Sequence, residues 1–186
     1  MATLRPFRDY SEHDVINLFA FDYAGTSISA GNLVKIKTST GWVHSQDLDQ
    51  TNTMKNFTLN NVVSDRYAVK ARVDLAGSGE TPLGMLLYGV QETDENGEKL
   101  LYNPHKAAEM QVTISGQAVP GVTDGIFLVR GVDGTPSEGG IAYCGGNAAG
   151  DGKISATVGD GTKKVIGKFL GTADGTTDDV LLKLEL

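Results

Sequence analysis

The clearest order along this chain is an alternation of apolar and polar positions with a period of two. Tyr67, Val69, Ala71, Val73 and Leu75 alternate with Ala68, Lys70, Arg72 and Asp74. Met110, Val112 and Ile114 alternate with Gln111 and Thr113, and Ile154, Ala156 and Val158 with Ser155 and Thr157. The final residues put Val180, Leu182, Leu184 and Leu186 on one side, with Lys183 and Glu185 on the other. Successive side chains of a strand point to opposite faces, so each stretch predicts a half-buried antiparallel strand.

Turn signals punctuate these stretches. Residues 83–92 and 98–102 flank Asp94-Glu95-Asn96-Gly97, and Asn-Gly between two apolar runs predicts a hairpin. Five Asp-Gly dipeptides follow, at Asp124, Asp133, Asp151, Asp160 and Asp174, a rhythm that fits short strands joined by tight turns. The 24 glycines are placed unevenly, because only Gly25, Gly31 and Gly41 precede residue 77. One short helix is predicted near 103–109, with Pro104 at its start. The fold class is therefore all-β with at most that one helix, and the organisation expected is residues 1–24 followed by one domain over 25–186.

The opening 24 residues lack a clear period and admit three readings. They form an opening strand behind a frayed tail, an extended N-terminal arm that packs on a neighbour, or a short helix from Ser11 with Asp14 in a capping pattern. Under the arm reading the candidate partner-binding residues are Phe7, Tyr10, Val15, Ile16, Leu18, Phe19 and Phe21, since large apolar groups are costly to leave in water.

Composition narrows the classes. An apolar share of 40% is enough to build a core, and no apolar run is long enough to cross a bilayer as a helix. With 16 basic and 23 acidic residues the net charge is −7, and no Lys/Arg stripe exists to neutralise phosphates, so neither nucleic acid nor membrane is an expected partner. The single cysteine, Cys144, excludes an internal disulfide and reads as a buried structural thiol. The first residues lack the apolar stretch of a secretory signal, so synthesis and folding in a reducing cytoplasm are expected.

Candidate chemistry is sparse. His13, His44 and His105 share no metal-ligand spacing, and no nucleophile elbow, phosphate loop or dinucleotide fingerprint occurs. Aligning Gly97 to the invariant glycine of a calcium loop puts Asn103 where a bidentate glutamate is required. Gly145–Asp151 resembles a glycine-rich calcium turn only once, and Asp178-Asp179 reads as a solvated acidic turn. Asn56-Phe57-Thr58 matches the glycosylation pattern by chance. A non-enzymatic chain with no cofactor and no bound metal is expected, one whose function lies in its surfaces.

Several segments, in order, carry a resemblance: 30–36 (Ala-Gly-Asn-Leu-Val-Lys-Ile), 81–90 (Thr-Pro-Leu-Gly-Met-Leu-Leu-Tyr-Gly-Val), 97–104 (Gly-Glu-Lys-Leu-Leu-Tyr-Asn-Pro), 116–120 (Gly-Gln-Ala-Val-Pro) and 165–175 (Val-Ile-Gly-Lys-Phe-Leu-Gly-Thr-Ala-Asp-Gly), closed by an apolar strand. In this order the chain resembles the head decoration, or capsid cement, proteins of tailed bacteriophages. The resemblance implies a compact antiparallel β-barrel or β-tulip-like domain on the outer surface of a virion, made in the host cytoplasm. It implies binding to the major capsid protein where capsid subunits meet, stabilisation of the expanded shell, and self-association, with a trimer favoured over a dimer. The rival expectation is a carbohydrate-binding β-sandwich of a phage tail or cell surface, which needs exposed aromatics such as Trp42 and Tyr143. A hydrolase on a β scaffold is a third class, with no residue to nominate.

Overall fold

The computed structural model describes residues 4–8, 10–21, 28–38, 71–146, 151–158 and 161–186. Trp42, His44, the Asn56–Thr58 tripeptide, residues 22–24 of the opening segment and the 67–70 half of the first alternation lie outside them. The described residues are nearly all β, with one short helix, and their antiparallel sheets curl into a half-barrel.

The C-terminal alternation forms as its pattern dictates. Strand β14 (Asp179–Glu185) buries Val180, Leu182 and Leu184 and turns Leu181, Lys183 and Glu185 outward, while Leu186 falls past the strand end and is exposed. It pairs along its whole length with β10 (Asp124–Arg130), from Asp124↔Glu185 to Arg130↔Asp179. Beside them lie β1 (Leu4–Pro6) on one side, and β13 (Val165–Phe169), β11 (Ile141–Cys144) and β12 (Ile154–Ser155) on the other. This six-stranded sheet, sheet I, is antiparallel throughout.

Sheet II also has six strands, in the order β2 (Val15–Ile16), β9 (Gly121–Val122), β6 (Gly84–Leu86), β4 (Leu33–Ile36), β5 (Arg72–Leu75) and β3 (Ala20–Phe21). Its pairing is antiparallel except for β3 on β5. Leu33, Met85 and Val122 point toward sheet I and pack with Phe127, Phe169, Leu182 and Leu184. Their neighbours Val34 and Leu86 point the other way, into a second cluster with Phe19, Phe21, Ile28, Val73, Val90 and Val119. Sheet II is thus a central layer with both faces dry. Each such side chain contributes about 1.5–3 kcal/mol of burial.

The expected hairpin forms only at its turn. Asp94 and Glu98 close it, Gly97 takes the left-handed conformation at φ 83°, and one antiparallel bridge joins Thr93 to Lys99. Leu100–Tyr102 then coils into a 3-10 turn rather than a strand, because Leu100 is drawn into a small cluster with Ala107 and Ile114. The stretch before the turn is two strands, β6 and, after a break at Leu87-Tyr88, β7 (Gly89–Gln91). The helix α1 (Pro104–Glu109) lies where expected, with Pro104 in its first turn and the Asn103 side chain accepting the Lys106 N–H. Met110 caps this helix instead of opening a strand, and β8 (Val112–Ile114) runs parallel to β7, which corrects the expectation of an antiparallel strand over 110–114.

The Asp-Gly dipeptides divide. Gly134, Gly152 and Gly161 take positive φ at turns, whereas Asp124-Gly125 opens β10, and in the last turn Asp178 (φ 57°), not Gly175, takes the left-handed position.

The opening segment is threaded through both sheets. β1 borders sheet I, β2 borders one edge of sheet II, and β3 borders its other edge. Ser11 does act as a cap, accepting the His13 N–H, but the turn it starts is a three-residue 3-10 helix, Glu12–Asp14. It ends there because the Asp14 carbonyl accepts both the amide and the hydroxyl of Thr123.

Candidate interaction face

The strand register fixes which side chains share the outer face of sheet I. Leu4↔Val129 and Phe127↔Leu182 face the core, so the intervening residues face outward. One outward row runs Arg5, Leu128, Leu181, and Leu170 joins it through its amide bond to the Leu181 carbonyl at 2.8 Å. The next row runs Phe7, Ile126, Lys183, Lys168 and Ile141, with the Phe7 amide on the Ile126 carbonyl at 3.0 Å. Tyr143 and Val165 pair beyond them. Phe7 is 63% exposed, Val165 58% and Ile141 43%.

Charge on this face is unlike that of the chain as a whole. Arg130 and Asp179 form a two-pronged pair across the ends of β10 and β14, at 2.8 and 2.9 Å. The guanidinium hydrogen bonds hold the Asp179 carboxyl below the usual carboxylate value and raise Arg130. Lys183 lies 3.3 Å from Glu185. Arg5 and Lys168 have no ion pair of their own among the described residues, though Arg5 adds to the pull on Asp179; with Asp124 opposite Glu185 on the same face, cations outnumber carboxylates there only narrowly, on a protein of net charge −7.

The seven residues nominated for partner binding separate by environment. Phe7 lies on the outer face, and Leu18 is 49% exposed. Tyr10 packs its ring against the core phenylalanine Phe127, centroids 6.0 Å apart, and is half-buried. Val15 and Ile16 are half-buried strand residues, one on each cluster. Phe19 and Phe21 are buried in the second cluster, held by the Val119 amide on the Phe19 carbonyl and the Gly116 amide on the Phe21 carbonyl. The apolar signal that nominated them is therefore, for these two, a core signal.

The outer face itself escaped notice in the sequence. Its trace is the run Ile126-Phe127-Leu128-Val129 and the adjacent pair Leu181-Leu182, which put apolar side chains on both faces of their strands.

Groups with possible chemistry are accounted for individually. Cys144 is fully buried, its Sγ 3.7 Å from the Gly77 carbonyl, and burial pushes its thiol up to about 12, so almost no thiolate exists near neutral pH. The arrangement closest to a nucleophile and base is Ser155 with Lys163, Nζ to Oγ 2.9 Å, and Asp133 3.4 Å away. The Ser155 hydroxyl is also bonded to the Thr157 carbonyl and amide, both at 3.1 Å, and the residue is completely buried, which corrects its assignment to a wet face. No substrate reaches it in this conformation. Arg72, expected on the wet face of β5, is buried as well. His13 and His105 are exposed, and among the described residues no three metal-ligating side chains cluster. Tyr143, one of two aromatics proposed for sugar stacking, is half-buried on the outer face.

No helix among the described residues is long and apolar enough to cross a membrane. Set against protein-family models and curated proteins, the chain matches none.

Proposed function

We propose that this chain is a structural binding module that docks on a larger assembly through the outer face of sheet I, as a head decoration protein docks on a phage capsid. It binds the major capsid protein on the outside of the shell, where subunits meet, and stabilises the expanded state. The observation that carries this reading is the outer face, with Phe7, Ile126, Leu128, Leu181, Ile141 and Val165 beside the cations Arg5 and Lys168 on an acidic protein. Contiguous apolar surface of this kind marks interaction sites, and a cationic rim suits an acidic partner surface. A rigid plate repeated by symmetry gains strength through many modest contacts, which also fits self-association as a trimer or dimer. With Phe19 and Phe21 in the core, docking falls to Phe7 and its row rather than to a detachable arm.

The test is sedimentation of the purified protein with expanded, undecorated shells and with unexpanded precursors of the presumed phage. Saturable binding to expanded shells is expected, and Phe7→Ser with Leu128→Ser abolishes it while the circular dichroism is retained. Equal binding by the double variant, or none by the parent protein, overturns the proposal.

A further inference from the structure

The chain's one Asn-Gly dipeptide, Asn96-Gly97, sits at the tip of the excursion that joins β7 to β8, outside both six-stranded sheets. Residues 95–99 are all exposed, and the isolated bridge from Thr93 to Lys99 closes the tip. A β-carbon built on Gly97 would meet no atom within 4 Å, so space is open on that side of the main chain. The Asn96 side chain makes no hydrogen bond among the described residues, while the main-chain N–H groups of Asn96 and Glu98 go to Asp94 Oδ1 at 2.9 and 2.8 Å. The Gly97 nitrogen is held by one turn bond, to the Asp94 carbonyl at 3.1 Å.

An electrophile and a nucleophile thus lie next to each other under little restraint. A side-chain amide followed by glycine can close a five-membered ring on the next main-chain nitrogen, because glycine has no side chain to hinder the approach and reaches backbone conformations other residues avoid. The Gly97 nitrogen bonds to Asn96 Cγ, the Cγ–Nδ2 bond breaks, and ammonia leaves with the Gly97 amide proton. Water then opens the succinimide. Opening at Cγ gives aspartate, and opening at the main-chain carbonyl gives isoaspartate, with the chain now running through Cγ.

The Asp-Gly dipeptides are restrained where this tip is not. Asp124-Gly125 opens the fully paired strand β10. Asp151 Oδ1 accepts the amides of Gly146 and Lys153, and the buried Gly152 gives its own amide to the Ala76 carbonyl. The Asp174 carboxyl accepts the Thr177 hydroxyl and the Thr176 amide, which hold it below the usual carboxylate value, and an ionised carboxylate is a poor electrophile. Asp133 Oδ2 lies 3.4 Å from the buried Ser155 hydroxyl.

We propose that Asn96 is a spontaneous modification site of the folded protein, converting to isoaspartate and aspartate ahead of the other described asparagines and Asp-Gly aspartates. Either product adds a carboxylate next to Glu95 and Glu98 in sequence, and isoaspartate also lengthens the main chain of a turn closed through Asp94 and Glu98. The site lies outside sheet I, so it stands or falls independently of the outer-face reading.

The experiment is incubation of the full chain at mildly alkaline pH, folded and in guanidinium chloride, followed by peptide mass mapping and isoaspartate labelling with a protein carboxyl methyltransferase. Product is expected first at Asn96, forming about two- to tenfold more slowly in the folded chain than in the unfolded one, the brake of one exposed turn hydrogen bond. Asn96→Gln lacks that product. Asp94→Ala, which removes the carboxylate that fastens the turn, brings the folded rate closer to that of its own unfolded chain. Guanidinium unfolding checks that both variants fold. A folded parent chain slowed beyond that range, a first product at another residue, or an Asp94→Ala chain held back as far as the parent overturns the proposal.

Discussion

Sheets I and II each have six strands yet bury themselves differently. In sheet I, β14 sends Val180, Leu182 and Leu184 inward and leaves Leu181 and Lys183 on a half-covered outer face. In sheet II, consecutive residues are buried on opposite sides, Leu33 with Val34 and Met85 with Leu86. The second layer over sheet II comes from Phe19, Ile28, Val90 and Val119, joined by Phe21 of its own edge strand β3. A sheet enclosed on both sides is a scaffold, whereas a sheet enclosed on one side has a face left for a partner. The opening segment makes this division rigid, because it contributes a strand to sheet I and to both edges of sheet II.

The largest effect expected is at Gly167, where sheet I is tightest. The strand is irregular here, with a register shift between Ala142 and Tyr143 on the partner strand. A β-carbon on Gly167 would sit 2.0 Å from the Lys183 carbonyl oxygen and 3.2 Å from the Leu184 Cα, at φ 153°. Both are backbone atoms in a fully paired strand, so nothing flexible can yield. Gly167→Ala is expected to destabilise by more than about 4 kcal/mol, read as a collapsed urea midpoint or as insoluble protein. Near-parental stability would mean that β13 and β14 spread easily, and that sheet I is not the rigid plate its role requires.

Neighbouring apolar residues sharpen the contrast next. In sheet II, Met85→Ala and Leu86→Ala are each expected to cost about 2–5 kcal/mol, since both leave cavities. In sheet I, Leu182→Ala is expected to cost as much, and Leu181→Ala less than about 1 kcal/mol. Denaturant titration of the four variants is the measurement. A large loss at Leu181 would show its face to be structural rather than free for a partner.

These substitutions also mark what the sequence makes legible. The β14 face is readable because alternation survives wherever one side of a strand is wet. The helix at Pro104 is readable because its start signals are local. The turn at Asn96-Gly97 is readable for the same reason, but not the 3-10 turn that follows, which depends on Leu100 meeting Ala107 and Ile114. Sheet II is hard to read because Leu33-Val34 and Met85-Leu86 carry no period once both faces are dry. Phe19 and Phe21 show the limit most clearly, since a core phenylalanine and an exposed contact phenylalanine look alike until the cover over sheet II is known. Arg72 and Ser155 fail in the opposite sense, as polar residues at wet-face positions that tertiary packing encloses.

The smallest effect expected is electrostatic and lies at the rim of the outer face. Asp179 is lowered chiefly by its hydrogen bonds to Arg130, so its carboxyl binds a proton less readily in the folded protein than in the unfolded chain. The pair's contribution is then complete above the unfolded carboxylate value of about 4 and is lost as the pH falls through the lower folded value. Glu80, Glu95 and Asp174 are lowered in the same direction, mainly by hydrogen bonds from Lys35, Lys106 and Thr177, so the parent protein alone cannot separate them. Asp179→Asn can. Its melting temperature should fall slightly below that of the parent at neutral pH, and the difference should close as both are acidified. Added salt should shrink it, as expected of a pair at the solvent boundary. A difference that persists unchanged into strong acid would assign the effect to lost packing at Asp179 rather than to charge. The outer face of sheet I would then owe its shape at that edge to side-chain fit.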